Sequence, residues 1–433
     1  MPITYPGAPA AHLRAPCAAA RRPISTPALM ACALVLIAGL SSGTARALGY
    51  AEALRLAEQQ SPGLAAQGLQ LAAAGAAHGA AAALPDPKLS VGVENLPVSG
   101  MDRWSLTRDF MTMQRLALMQ DIPNQAKREA RVQLAQARAD RERALVALQR
   151  LQLSQALGLA WIAVQSSDRR LQLLDELLAQ NQQLQDSLPA RIAGGSAQAT
   201  ELLAARQEDL GLKDRRDELQ RDASKARAAL RRWVGLRADE PLDDAPPPLA
   251  MPMAQLRAEL QRHAELAVYP AMRGMAAAEL REAQAESRGD WSWELAYSRR
   301  GRQWGDMLSF QLSFDLPLQK GMRQEPLIRA KQLESQRVEA EQEDAARRHL
   351  LELDENTAEL QTLERQIERL QSSGIGLAAD RAALALASYQ SGKSDLGAVL
   401  AARAQVLEAR LRLIELQSQR DSLRVRLNSL IAE

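Results

Sequence analysis

Cysteine is almost absent from this 433-residue chain, since Cys17 and Cys32 both lie within its first 47 residues. That segment has four arginines, no acidic residue and an apolar run at 28–40, followed by Ala45-Arg46-Ala47. The pattern predicts a secretory signal peptide over residues 1–47, cleaved after Ala47. The apolar run continues past Cys32, which disfavours lipid attachment there. The remaining chain can form no disulfide and no cysteine-ligated zinc site, even in an oxidising compartment.

An excess of either charge is also lacking. Without the four leader arginines, the 54 basic residues fall to 50 against 52 acidic ones, a net charge of −2. We therefore predict no nucleic-acid partner, because such a partner requires a basic face. Beyond residue 47 no run of 18 apolar residues predicts a membrane-spanning helix.

Constellations that support catalysis are missing as well. The sequence shows no Ser/His/Asp set, no phosphate-binding glycine loop and no paired acids. Its histidines beyond residue 47 are His78, His263 and His349, which lie far apart. We predict no enzyme, no cofactor and no metal site.

Proline is missing from residues 124–188, from 190–240 and from everything after Pro326. These stretches are rich in Leu, Ala, Gln, Glu and Arg, which favour helix. A helix over 124–188 would be about 100 Å long. Leucine or isoleucine also recurs every seven residues, at Leu400, Leu407 and Ile414 and at Leu416, Leu423 and Leu430. This period predicts long, coiled helices.

Aromatic residues make up only 3% of the chain, and eight of the fourteen lie in two windows, 86–123 and 290–319. Apolar and polar residues alternate there, which predicts strands with one apolar face. The second window includes the apolar series Leu308, Phe310, Leu312, Phe314, Leu316 and Leu318. Aromatic, apolar-faced strands are typical of a lipid-facing barrel wall.

The two windows indicate an internal duplication. Asp121-Ile122-Pro123 recurs as Asp315-Leu316-Pro317, and Gly194-Gly195-Ser196 as Gly392-Lys393-Ser394, with an offset of 198 for the turn. We predict a first repeat over 48–240 with a hairpin at about 88–122 and a turn near 194–196. A proline-rich linker over 241–252 precedes a second repeat over 253–433, with a hairpin at about 290–319 and a turn near 392–394.

Four strands in one chain are too few to close a barrel, because the smallest membrane barrels have eight. An open sheet edge is not tolerated in lipid. Three copies would supply twelve strands. The predicted fold is therefore mainly α with a small β part: a long coiled helical barrel plus four membrane strands per protomer, in a trimer.

The paired hairpins, the repeated glycine turn and the long helices together resemble the TolC family of outer-membrane efflux proteins. The resemblance covers essentially the whole chain beyond the leader. It implies a homotrimer in outer-membrane lipid, with a helical tunnel in the periplasm. It also implies two partners, a periplasmic adaptor protein and an inner-membrane pump.

Two segments, 107–123 and 230–235, resemble the heavy-metal branch of that family, which serves cobalt–zinc–cadmium or copper–silver pumps of the resistance–nodulation–division (RND) class. The resemblance implies export of heavy-metal cations. A general drug channel or a type I secretion channel is the alternative within the family. Outside it, a periplasmic adaptor would need one helical hairpin with lipoyl-like domains, and an envelope coiled coil would not explain the second strand window.

The resemblance also implies a gate at the periplasmic tip. Tyr389, three residues before Gly392, matches a tyrosine that holds the tip closed, and Glu201 matches an acidic residue after the first turn. Lys393 and Asp395 could form inter-helix ion pairs there. The alternative is ordinary helix capping, by Ser196 or Thr200 with Glu201 and by Ser394 or Asp395.

Met111, Met113 and Met119 are predicted on the strand face opposite Leu116 and Leu118, hence facing the lumen. Thioethers suit Cu(I), while flexible packing inside a narrow barrel is the alternative.

Overall fold

The computed structural model describes residues 47–243, 257–258 and 262–430. The predicted signal peptide, apart from Ala47, and most of the predicted linker lie outside these residues. Within them the elements follow the order α1 (Tyr50–Gln60), α2 (Pro62–Ala81), β1 (Lys88–Glu94), β2 (Met113–Ile122), α3 (Gln125–Ala193), α4 (Ala199–Val234), α5 (Ala264–Ala285), β3 (Trp291–Arg299), β4 (Met307–Phe314), α6 (Lys320–Arg369), α7 (Ile375–Gln390) and α8 (Leu396–Asn428).

The longest helix, α3, has 69 residues, which corresponds to about 100 Å. It begins at Asn124, whose side chain accepts a hydrogen bond from the Lys127 N–H. It also runs through Pro189 to end at Ala193, since a proline in the last turn removes only one helical hydrogen bond. In the second half, α6 and α7 are joined by one π-helical turn, Leu370–Gly374.

The core is a series of leucine clusters along the packed helices. One cluster joins Leu353, Leu360 and Leu363 of α6 to Leu416 and Leu423 of α8. The predicted seven-residue leucine period of α8 therefore faces neighbouring helices. A second cluster surrounds the fully buried Trp161 of α3.

Gly158 allows α3 to pack closely against α8. A Cβ atom there would lie 2.8 Å from Cγ1 of Val425 and 3.3 Å from the hydroxyl oxygen of Tyr50. The one glycine in the proline-free stretch 124–188 thus lies where any side chain would collide.

The first described residues are held by hydrogen bonds to a later segment of the chain. Ala47 is exposed, whereas Leu48 is fully buried. The Leu48 N–H donates to the Pro241 carbonyl at 2.8 Å, and the Asp243 N–H donates to the Leu48 carbonyl at 3.0 Å. These bonds hold Leu48 against residues 241–243.

The four strands form one antiparallel sheet in the order β1-β2-β3-β4. The two hairpins are joined by pairing between β2 and β3, so β1 and β4 are the edges and have no further strand partner in the described chain. The predicted extension of the last strand to Leu318 is wrong. β4 ends at Phe314, because Pro317 has no N–H to continue the strand ladder.

Among the described helices, none has the length and apolar composition needed to cross a membrane.

Candidate functional site at the sheet and the helix tip

One face of the sheet is apolar and exposed, and we call it the apolar face. Its rows cross all four strands: Leu89 pairs with Leu118, Leu118 with Leu295, and Leu295 with Phe310. Leu308, beside Phe310 on the same face, is 72% exposed. So large an apolar surface is unfavourable in water. It therefore indicates a surface that contacts lipid or another protein. The face comprises Leu89, Val91, Val93, Leu116, Leu118, Ile122, Trp291, Trp293, Leu295, Tyr297, Leu308, Phe310, Leu312 and Phe314.

The opposite face of the sheet is polar, and charged side chains bridge three of its strands. Arg115 of β2 forms ion pairs with Glu94 of β1 and Glu294 of β3. Lys88 and Asp121 are paired at 2.8 Å on the same face. These contacts brace the strands from the side that faces away from the apolar surface.

Two of the three predicted methionines lie on this polar face. Met113 and Met119 are there, six residues apart and so about 20 Å apart along β2. Met111 lies in the loop before β2 and is 51% exposed, so its predicted place on the strand is wrong. Within one chain the thioethers of Met113 and Met119 are too far apart to share a Cu(I) ion.

A polar junction, which was not predicted from the sequence, joins the sheet to α3. The backbone N–H and the side-chain amide of Asn124 both donate to Asp290 Oδ1 at 2.9 Å. Lys127 binds the other carboxylate oxygen at 3.0 Å. Burial alone would raise the pKa of Asp290, but the hydrogen bonds from Asn124 and Lys127 hold it below its ordinary value. The available signal was Asn at a helix start after a strand, which is a typical cap.

At the far ends of the helices, both turns have the same backbone structure. The Ser196 N–H donates to the Arg191 carbonyl at 2.8 Å, and the Lys393 N–H donates to the Ser388 carbonyl at 2.9 Å. Each turn also has a glycine in the left-handed region, at φ 75° and φ 74°. These are Schellman motifs, which end a helix at a left-handed glycine.

In these two turns the glycines with positive φ are Gly195 and Gly392, which are 197 residues apart. The predicted match of Gly194 with Gly392, at an offset of 198, is therefore wrong by one residue. Gly194 has φ −80° and is still the end of α3. Two equivalent turn positions are therefore identified by the residue that adopts positive φ, and not by the repetition of a glycine in the sequence.

The two turns meet in a buried cluster that we call the tip cluster. It contains Leu188 of α3, Ala205 of α4, Tyr389 of α7, and Leu396 and Val399 of α8. Both turns therefore contribute to one packed unit.

Within the tip cluster the structure brings Tyr389 and Glu201 together. The Tyr389 hydroxyl donates to Glu201 Oε2, and the Arg191 guanidinium lies 5.1 Å from the ring centroid. Burial and the Glu201 carboxylate raise the pKa of Tyr389, so it is a neutral donor near pH 7. Glu201 also accepts from the Gln198 backbone N–H at 3.3 Å, as part of a capping box. One carboxylate thus serves both a helix cap and a contact between the two halves.

The other predicted tip residues have separate positions. Asp395 caps α8, its Oδ1 accepting from the Ala398 N–H at 2.9 Å. Ser196 donates its hydroxyl to the Arg191 carbonyl, and Gln198 caps α4 in place of Ser196 or Thr200. Ser394 does not cap α8 either, and its Oγ is buried without a partner. Lys393 is exposed and follows Gly392.

The structure also brings together two histidines that lie far apart in sequence, a proximity that the sequence spacing did not predict. The rings of His263 and His349 are 3.9 Å apart, and Glu265 lies 3.1 Å from Nε2 of His349. Burial, with a contribution from His349, lowers the pKa of His263 to about 4. Antiparallel packing of α5 against α6 produces this contact, which sequence spacing does not reveal.

The architecture is similar to that of known outer-membrane proteins. Residues 262–433 match the family described as outer membrane efflux protein. A membrane protein from Pseudomonas aeruginosa has a similar structure, with a TM-score of 0.75 at 17% identity over 88% of this chain and 90% of its own. The outer membrane protein VceC of Vibrio cholerae gives 0.72 at 21% identity, over 88% and 95%. CusC gives 0.71 at 18% identity, over 89% and 92%.

The chain has the fold of an outer-membrane efflux channel. Members of the matched family are transport channels without catalytic activity, which confirms the prediction that the chain is not an enzyme. No curated protein sequence matches the chain. The two sites are well separated: the sheet lies at one end of the long helices and the tip cluster lies at the other.

Proposed function

We propose that this chain is the outer-membrane channel subunit of a tripartite efflux system and acts as a homotrimer. The observation that carries the proposal is the four-stranded sheet, whose apolar face is exposed and whose edge strands β1 and β4 are unpaired within the described chain. In lipid, unpaired backbone groups at two such edges would be strongly unfavourable. Pairing β4 of one copy with β1 of the next removes every edge when three copies close a twelve-stranded barrel.

The helices would then form a tunnel in the periplasm. α3, at about 100 Å, is roughly three times as long as a bilayer core is thick. Export requires the leader, which we propose is cleaved after Ala47. The exposed Ala47 beside the fully buried, hydrogen-bonded Leu48 supports a junction at that point.

We further propose that residues 48–240 and 253–433 are duplicated repeats, each with a hairpin, a long helix and a glycine turn. The matching Schellman bonds at an offset of 197 support this division. The tip cluster formed by the two turns is the proposed docking end for a periplasmic adaptor. The adaptor would connect the channel to an inner-membrane RND pump.

Tyr389 and Glu201 are the proposed gate of the tip. Their hydrogen bond joins α7 of the second repeat to α4 of the first. Opening would have to separate these helices, so the bond favours the closed tip. Lys393 and Asp395, beside the second turn, are proposed to add ion pairs with neighbouring subunits.

Heavy-metal cations are the proposed cargo, supported by the resemblance of 107–123 and 230–235 to the metal-efflux branch. Drug efflux or type I secretion is the second candidate, because the same fold serves both. Deleting the gene and measuring growth in zinc, cobalt, cadmium, copper and silver salts, and in a panel of drugs, separates these. Sensitivity to drugs alone would contradict the metal assignment.

Assembly is tested with the full-length gene and a C-terminal tag. Membrane fractionation should place the protein in the outer membrane, and light scattering in mild detergent should give the mass of three chains. N-terminal sequencing should start at Leu48. A monomer that remains soluble without detergent would refute the channel proposal.

A further inference from the structure

We propose that His263, Glu265 and His349 form a binding site for one divalent transition-metal ion, with zinc as the test ion. One ligand atom from each of the three residues lies within 4.8 Å of the others. The site is separate from the channel's cargo and from the tip, and it does not rest on the proposed function.

The donor set is the first argument. Two imidazoles and one carboxylate are a ligand set that zinc uses when it keeps one position open for water. Neighbouring ligand atoms in a tetrahedral zinc site lie about 3.3 Å apart. Nε2 of His349 and Oε2 of Glu265 already lie at 3.1 Å. Glu265 is 43% exposed, so its side chain can adjust and leaves an entry path for the ion.

Two carboxylates flank the imidazole of His349. Nε2 faces Glu265 at 3.1 Å, while Nδ1 faces Glu352 at 3.6 Å. The side chain is only 9% exposed, and Nδ1 is buried without a hydrogen-bond partner. A neutral imidazole has one proton and cannot donate to both carboxylates. A cation at Nε2 resolves this, because the proton can then stay on Nδ1 and point to Glu352.

That arrangement is common around protein metals. A ligating histidine usually donates its other N–H to a carboxylate, which fixes the ring. Glu352 lies one helical turn after His349 on α6 and would have this positioning role. Glu352 is therefore a further residue through which the site can be tested without removing a ligand.

The affinity of the site for a metal ion depends on the helix-capping hydrogen bond of His263. Its Nδ1 accepts the Glu265 backbone N–H at 3.1 Å, as the cap of α5. A neutral imidazole has one free lone pair, so a metal ion must compete with this capping bond. Binding would tie the start of α5 to the middle of α6, adding a crosslink where the second repeat begins.

The test is zinc binding by the purified full-length protein in detergent, whatever its oligomeric state, after removal of metals with EDTA. Calorimetry should show one saturable zinc ion per chain, and cobalt should give the visible absorption bands of a low-coordinate, histidine-ligated ion. Zinc should also raise the melting temperature. His349→Ala and Glu265→Gln should each abolish saturable binding, and Glu352→Gln should weaken it by roughly 10- to 100-fold.

His78→Ala is the matched control, since His78 lies on α2 and outside the cluster. It should leave zinc affinity unchanged. Glu265→Gln guards against misfolding, because it keeps the size of the side chain, and circular dichroism should match that of the native protein. Absence of saturable zinc binding to the native protein, or full affinity in His349→Ala, would overturn the proposal. A drug-specific export phenotype would leave it standing.

Discussion

Removing the Tyr389 hydroxyl should shift the tip towards its open state. Tyr389→Phe keeps the ring, its burial and its contact with Arg191, and deletes only the donor to Glu201. A hydrogen bond to a charged group contributes about 1.5–3 kcal/mol when shielded. Because Glu201 is half-exposed, we take about 1 kcal/mol per subunit. Three subunits then give about 3 kcal/mol, or roughly 150-fold in the closed-to-open ratio.

The assay is single-channel recording in planar bilayers, with open probability and closed-state conductance as readouts. Tyr269→Phe is the matched control, because that tyrosine lies on α5 outside the tip cluster. Glu201→Ala also removes the cap of α4, so a double-mutant cycle with Tyr389→Phe isolates the shared hydrogen bond. A trimer of Tyr389→Phe whose closed state is as occupied and as impermeable as the native one would refute the gate.

Three further predictions, two of them with a control substitution, concern the fold and the sheet. Gly158→Ala should lower the melting temperature through a collision with α8, whereas Gly211→Ala, in open space on α4, should stabilise by up to about 1 kcal/mol; equal effects would contradict the close approach. Phe310→Arg on the apolar face should cost about 2–4 kcal/mol and block membrane assembly, while Gln311→Arg on the polar face should assemble, as judged by heat-resistant trimer on gels. Asn124→Ala should lose about 1–2 kcal/mol in urea unfolding; an unchanged midpoint would show that the junction contributes nothing.

The strands show how far sequence periodicity leads. Alternation located all four, because one apolar face every second residue is a local property of the chain. It failed at Leu316 and Leu318, where the alternation continues but Pro317 cannot join the ladder. Pairing of β2 with β3 had no local signal, since it joins segments from the two halves.

The turns and the side-chain clusters were only partly predictable from the sequence. Repetition of glycine predicted two turns, but backbone φ assigned the position to Gly195 and Gly392. Family resemblance selected Tyr389 and Glu201 separately. Their hydrogen bond exists because the end of α7 lies beside the start of α4.

Sequence alone determined the helices and the strands, because composition and hydrophobic period act between residues that are close together in the chain. Only tertiary structure decided which distant groups meet: Asp290 with Asn124, Tyr389 with Glu201, and His263 with His349. Those contacts depend on how long helices align over tens of ångströms, and no local pattern in the chain encodes that alignment.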